Sequence, residues 1–147
     1  MNLVDNSKIS DFKKLLDKKK FKKIFLITGK NSFYKSKADK FFNFPKDKEI
    51  KYYFKFSKLP EFKELIVILK EVEKFKPDII LAIGGGAVID YAKIVSIIDY
   101  KLLNNLKIKL SNYENISKRK IYPLVAIPTT AGAGAEVTSN AVIYINK

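Results

Sequence analysis

The sequence holds no histidine, no cysteine and no tryptophan, and a single methionine, in 147 residues. Without imidazole or thiolate, the chain can assemble no His- or Cys-built metal centre, no Ser-His-Asp or Cys-His nucleophile, no zinc finger, no haem site and no disulfide frame. Hydrolytic or redox chemistry must therefore rest on carboxylates, lysines, hydroxyls, a bound cofactor or protein outside this sequence. Arginine is nearly absent too, Arg119 being the sole one. No stretch approaches the roughly 18 consecutive apolar residues that span a bilayer, and the opening Met1-Asn2-Leu3-Val4-Asp5 lacks the apolar centre of a signal peptide. A cytoplasmic protein with no membrane partner is expected.

At 47% hydrophobic and 30% charged, the chain has material for a real core. With no repeat, low-complexity tract or Pro/Gly/Ser linker, one domain over residues 1–147 is the simplest partition. Lys and Arg total 29 against 15 Asp and Glu, a net +14. Because nearly all of that charge is lysine, a point charge without the planar fork that pairs with phosphates and guanine edges, no specific nucleic-acid partner is expected. Weak, salt-sensitive attraction to polyanions remains. The densest run, Lys18-Lys19-Lys20 with Lys22 and Lys23, falls where a helix should end and complements its carbonyl end.

The hydrophobic pattern alternates between helix and strand periods. A first helix is predicted over Ser10 to Lys19, a buried strand over Ile24 to Thr28, a helix over Asn31 to Phe42 and a strand over Ile50 to Phe54. Pro60 opens an amphipathic helix with Glu61 and Glu64 in its first turn and Phe62, Leu65, Ile66, Leu69 and Val72 along one face. Ile79 to Ile83 is a third apolar strand, Ala87 to Asp99 the next helix, Leu124 to Ile127 a fourth strand, and Ala141 to Ile145 is strand-like. Such alternation predicts an α/β fold with a doubly wound, mostly parallel, Rossmann-like sheet, whose ligands bind beyond the carboxyl ends of its strands.

Two turns at that edge carry chemistry. Gly84-Gly85-Gly86 lies between a buried strand and a helix, where backbone N–H groups and the positive helix end hold anions and the missing Cβ lets a diphosphate approach. One glycine would suffice for a tight turn, so three in succession favour phosphate binding. A P-loop on Gly29-Lys30 fails, since Ile24 stands where glycine is needed and Asn31 where Ser or Thr is needed. Gly132 and Gly134 supply only two glycines of the dinucleotide fingerprint and come late in the chain. Asp90, four residues after Gly86, either faces the anion site or complements the helix dipole and pairs with Lys93, and both readings stay open. Thr129 and Thr130 offer two hydroxyls after the fourth strand, as ligands or as helix caps.

Together, the stretches Ile83-Gly84-Gly85-Gly86-Ala87-Val88-Ile89-Asp90-Tyr91-Ala92-Lys93 and Pro128-Thr129-Thr130-Ala131-Gly132-Ala133-Gly134-Ala135-Glu136-Val137-Thr138 resemble the iron-containing (group III) alcohol dehydrogenases, whose motifs usually read G-G-G-S-x-x-D-x-A-K and P-T-T-A-G-T-G-S-E-V-T. The resemblance covers essentially the whole chain as that family's N-terminal cofactor domain. It implies an NAD(P)-dependent oxidoreductase that moves hydride between an alcohol and its aldehyde or ketone, and makes the dinucleotide and a small alcohol or aldehyde the partners. It implies that Gly85, Gly86 and Ala87 hold the diphosphate, that Asp90 lies toward the nicotinamide and its ribose, that Thr129 and Thr130 border the adenosine half, that Thr138 and Val142 approach the nicotinamide side, and that Ala133 is a further cofactor-binding position. It implies further that the catalytic divalent metal, iron or zinc, is held by an Asp and three His of a helical C-terminal domain absent from this chain. No catalytic residue and no metal ligand is thus assigned here, and the chain alone is expected to be inactive.

Several positions depart from the family pattern. Ala87 replaces a Ser, Ala133 and Ala135 replace a Thr and a Ser, and Leu59-Pro60 stands where many members have Asn-Pro. Each lost side-chain hydrogen bond is worth about 1 kcal/mol, so weakened dinucleotide binding is expected. Gly29 and Lys30 occupy the place where NAD-preferring members put an Asp for the adenosine ribose, which favours NADP or use of both cofactors, because Gly29 leaves space for a ribose phosphate and Lys30 can pair with it. Thr28-Gly29-Lys30-Asn31-Ser32-Phe33 is also similar to members that reduce phosphonoacetaldehyde. A dinucleotide-binding module without catalysis is the alternative from another class, and self-association into a homo-oligomer is compatible with the sequence.

Overall fold

In a computed structural model, residues 9–18, 20–42, 44–98, 122–132 and 134–145 are described. Among these residues five helices and four strands follow in the order α1 (Ile9–Lys18), β1 (Lys23–Gly29), α2 (Lys30–Lys35), α3 (Ala38–Phe41), β2 (Glu49–Lys55), α4 (Phe62–Phe75), β3 (Ile79–Gly84), α5 (Gly86–Ile97) and β4 (Leu124–Pro128). All neighbouring strands pair in parallel, in the order β2-β1-β3-β4.

The strand side chains sort by parity onto the two faces of this sheet. Phe25, Ile27, Ile80 and Ala82 pack with Leu65, Ile68, Leu69 and Val72 of α4 and with Val88, Ala92 and Val95 of α5. On the opposite face, Ile24, Leu26, Ile79, Leu81 and Ile83 meet Leu16 of α1, Phe33 of α2 and Ala38 of α3. Both faces are covered, which is why β1 and β3 read as unbroken apolar runs without alternation. The step from β1 to β2 carries α2 and α3 on one face, and the steps from β2 to β3 and from β3 to β4 run the other way with α4 and α5 on the other face. The three crossovers thus share one hand.

Two elements differ from the sequence pattern. The single helix expected from Asn31 to Phe42 is broken at Ser36 and Lys37, the latter with φ 58°. Nine residues of unbroken helix, about two and a half turns, would point Phe33 and Phe42 in opposite directions. The break lets both bury in one core, where Phe33 and Phe42 are 4% and 8% exposed. Ala141 to Ile145 forms no strand: it makes one parallel bridge, Tyr144 with Glu61, and does not join the sheet. Tyr144 bonds instead to the start of α4, from its N–H to the Pro60 carbonyl (2.8 Å) and from the Phe62 N–H to its carbonyl (3.0 Å). Among the described residues no helix is long and apolar enough to cross a membrane.

Candidate functional site

The connections from β1 and β3 leave toward opposite edges of the sheet, so a crevice opens between their carboxyl ends, the place where open α/β sheets bind ligands. The buried Thr28 hydroxyl spans the two strands there, donating to the Ile83 carbonyl at 2.6 Å. Gly29 and Lys30 follow Thr28, Gly84 to Ala87 follow Ile83, and the Thr129 N–H donates to the Gly84 carbonyl at 3.0 Å. The register therefore gathers Gly29, Lys30, Gly85, Gly86, Ala87, Thr129 and Thr130 along one edge, although they span a hundred residues of sequence.

The three glycines do different work. An alanine Cβ at Gly84 would lie 2.6 Å from Val88 Cγ2, so this glycine lets α5 seat against β3. At Gly85, the extended residue that opens α5, a Cβ would meet Thr130 Oγ1 at 2.9 Å, and at Gly86 nothing is nearer than Ala135 Cβ at 3.9 Å. Gly85 accepts from the Val88 and Ile89 N–H groups at 3.0 and 3.2 Å. The N–H groups of Gly86 and Ala87, the first two residues of the helix, have no carbonyl one turn back and face the crevice end of α5. In the turn after β4, Thr129 Oγ1 is buried with no hydrogen-bond partner.

Asp90 and Lys93 of α5 bind the segment that follows β4. The Asp90 carboxylate accepts from the Val142 N–H; burial raises its pKa, against that hydrogen bond and the Lys93 charge. Lys93 Nζ donates to Thr138 Oγ1 (2.9 Å) and to the Asn140 carbonyl (2.8 Å); burial lowers its pKa, while Asp90 and Glu136 oppose the shift. Glu136 Oε2 is a second buried oxygen without a partner. Thr138 and the exposed Val142 are thereby held beside α5, whereas Ala133 lies outside the described residues.

Glu64, which the sequence places in the first turn of α4, is fully buried. It accepts from the Phe56 N–H (2.7 Å), the Ser57 N–H (3.0 Å), the Tyr91 hydroxyl (2.9 Å) and the Tyr53 hydroxyl (3.3 Å). The sequence does carry a signal for it: Glu64 falls on the apolar stripe with Leu65, Ile68, Leu69 and Val72, where a carboxylate must find donors. A cavity of about 630 Å³ lined by Lys40, Phe42, Phe44, Lys48, Ile50 and Tyr52 lies near the amino end of β2, away from the glycine turn.

Residues 2–147 match the family model for iron-containing alcohol dehydrogenase. The chain belongs to the iron-containing alcohol dehydrogenase family. An alcohol dehydrogenase of Thermococcus barophilus is 40% identical over 89 residues, covering 57% of this chain and 23% of that protein. The structure of the iron-containing alcohol dehydrogenase of Thermotoga maritima superposes with a TM-score of 0.68 at 25% identity, over 90% of this chain and 38% of that one. Sulfoacetaldehyde reductase from Bifidobacterium kashiwanohense, solved in complex with NAD+, superposes with a TM-score of 0.66 at 22% identity, over 90% of this chain and 35% of that one. This chain thus spans about a quarter of its alcohol dehydrogenase relative from Thermococcus. The family's metal does not fit the residues present: the chain has no His and no Cys, and no group of three or more Asp or Glu side chains among the described residues could hold an ion.

Proposed function

We propose that the crevice between β1 and β3 binds the dinucleotide of an alcohol dehydrogenase, NADP in preference to NAD, and that this chain presents the nicotinamide for hydride exchange with an alcohol or its aldehyde or ketone. The observation that carries the reading is the junction of β3 and α5, where Gly85 and Gly86 leave backbone N–H groups open at the switch point beside the unpartnered Thr129 hydroxyl. In this reading Gly86 and Ala87 donate to the diphosphate, Thr129 and Thr130 flank the adenosine half, and Thr138 and Val142 border the nicotinamide, where Asp90 and Lys93 hold their segment in place.

Lys30 begins α2 at the end of β1, and Gly29 before it adds no side chain that would repel a phosphate on the adenosine ribose. That arrangement supports NADP over NAD. With no His or Cys, and no group of carboxylates among the described residues that could hold a metal, the 147-residue chain binds and orients the cofactor without turning over an alcohol.

Fluorescence titration of the purified chain with NADPH and NADH tests the reading. Binding of both with NADPH tighter, together with no dehydrogenase turnover on added iron or zinc, is the expected result. No binding of either up to millimolar concentration removes the site assignment, tighter NADH removes the cofactor preference, and metal-dependent turnover removes the claim of inactivity.

A further inference from the structure

A buried carboxylate is tolerated only where donors replace its hydration, and a side chain that collects four of them organises whatever carries those donors. Two of the groups that bond Glu64 are backbone N–H groups of the loop between β2 and α4, and a third is the hydroxyl of Tyr91, the residue next to Asp90 on α5. Tyr91 reaches the same loop directly, its oxygen accepting from the Glu61 N–H at 2.6 Å. The loop then pairs through Pro60 and Phe62 with Tyr144, two residues from Val142, whose N–H is held by Asp90.

We propose that Glu64 and Tyr91 are positioning residues: they clasp the β2–α4 loop to α5, and the clasped loop holds residues 141–145 at the carboxyl edge of the sheet. Residues 134–145 contain no helix or strand, and the bonds that tie them to the rest of the structure include those to Asp90, Lys93, Pro60 and Phe62. Ala141 and Ile143 also pack on the core, but apolar contact fixes depth more than direction. Tyr91 therefore acts twice on this segment, through the loop on one side and through the turn of α5 that carries Asp90 on the other. The consequence for cofactor binding rests on the dinucleotide reading above; the clasp itself rests on the hydrogen bonds alone.

The test compares the wild-type chain with Tyr91→Phe, which keeps the ring and deletes the hydroxyl, with Glu64→Gln, and with Val72→Ala as a core variant outside the clasp. Amide hydrogen exchange is read at Val142 and Tyr144 and, for comparison, at Leu26 and Leu81, and NADPH affinity by fluorescence. Loss of a hydrogen bond to a buried carboxylate speeds exchange at Val142 and Tyr144 by about tenfold beyond any change at Leu26 and Leu81. NADPH binding weakens by about threefold or more, while Val72→Ala raises exchange evenly and leaves affinity unchanged. Even acceleration in Tyr91→Phe, or unchanged exchange at Val142 and Tyr144, overturns the clasp, and Tyr91→Phe decides the matter if Glu64→Gln fails to fold. If the wild-type chain binds no dinucleotide, the functional reading fails while the exchange rates still decide the clasp.

Discussion

Replacing Gly84 with alanine puts a methyl group where α5 meets β3. The added Cβ would lie 2.6 Å from Val88 Cγ2 and 2.8 Å from Val88 Cβ, about 1 Å inside the usual carbon contact distance. Val88 is 1% exposed, and a β-branched side chain in a helix has one dominant rotamer, so it cannot swing aside. Relief requires α5 to move off the sheet. Overpacking of this kind costs about 1–3 kcal/mol, and the stiffer unfolded chain of the alanine variant offsets about 0.4–1 kcal/mol, leaving a net loss of about 1–2 kcal/mol. For 147 residues the unfolding entropy is about 0.3 kcal/mol/K, so Tm falls by about 3–7 °C in a thermal melt followed by circular dichroism. Val88→Ala alone costs about 2 kcal/mol through lost burial and a cavity. Combined with Gly84→Ala it removes the contacts with both Cγ atoms and leaves the one with Val88 Cβ at 2.8 Å, so the clash is relieved in part and the double variant should be more stable than the sum of the two losses by about 0.5 kcal/mol. A Gly84→Ala protein as stable as wild type, or a strictly additive double variant, would refute the steric account.

Three further outcomes are expected. Thr129→Val, which replaces an unpartnered buried hydroxyl with a methyl group, leaves stability unchanged or raises it by about 1 kcal/mol in urea unfolding, while NADPH binding weakens by about threefold or more; a loss of stability instead would mean the hydroxyl is already satisfied. Lys30→Glu should weaken NADPH by about three- to tenfold and leave NADH nearly unchanged, whereas equal weakening of both would place Lys30 away from the ribose phosphate. Because burial raises the folded-state pKa of Asp90 above 3.8, its proton is held more tightly in the folded chain, so the contribution of this group to stability is complete below pH 3.8 and is lost as pH rises through the raised value. Urea midpoints of wild type relative to Asp90→Asn should therefore decline across that window, and a difference that grows with pH contradicts the assigned direction.

Much of the fold was legible because buried parallel strands leave a strong mark. Ile24 to Thr28 and Ile79 to Ile83 are apolar on both faces, and each is closed by glycine, as the strands Lys23–Gly29 and Ile79–Gly84 are. The helix Phe62–Phe75 announced itself by its stripe, although Glu61 rather than Pro60 caps it and Ile68 rather than Ile66 is fully buried. The break after Lys35 was not legible, because each half of Asn31 to Phe42 is locally helical and only the common core target of Phe33 and Phe42 forces them apart. Ala141 to Ile145 has strand composition but no place in the sheet, its backbone being engaged by Pro60 and Phe62.

By itself, the sequence determined that the chain holds no metal site of the His or Cys kind, that the strands at Ile24 to Thr28 and Ile79 to Ile83 are buried on both sides, and that a glycine turn and a threonine turn follow two of its strands. These are properties of residue type and local period, which need no partner from elsewhere in the chain. Tertiary structure alone decided that Gly29, Gly85 and Thr129 share one edge, because strand register joins residues separated by a hundred positions. It decided too that Gly84 lies against Val88, Gly85 against Thr130, and Gly86 in comparatively open space, and that Glu64 is buried among donors from the β2–α4 loop, β2 and α5. Those distinctions depend on which atoms come within 3 Å of one another, and that distance is set by the packing of α4 and α5 on the sheet.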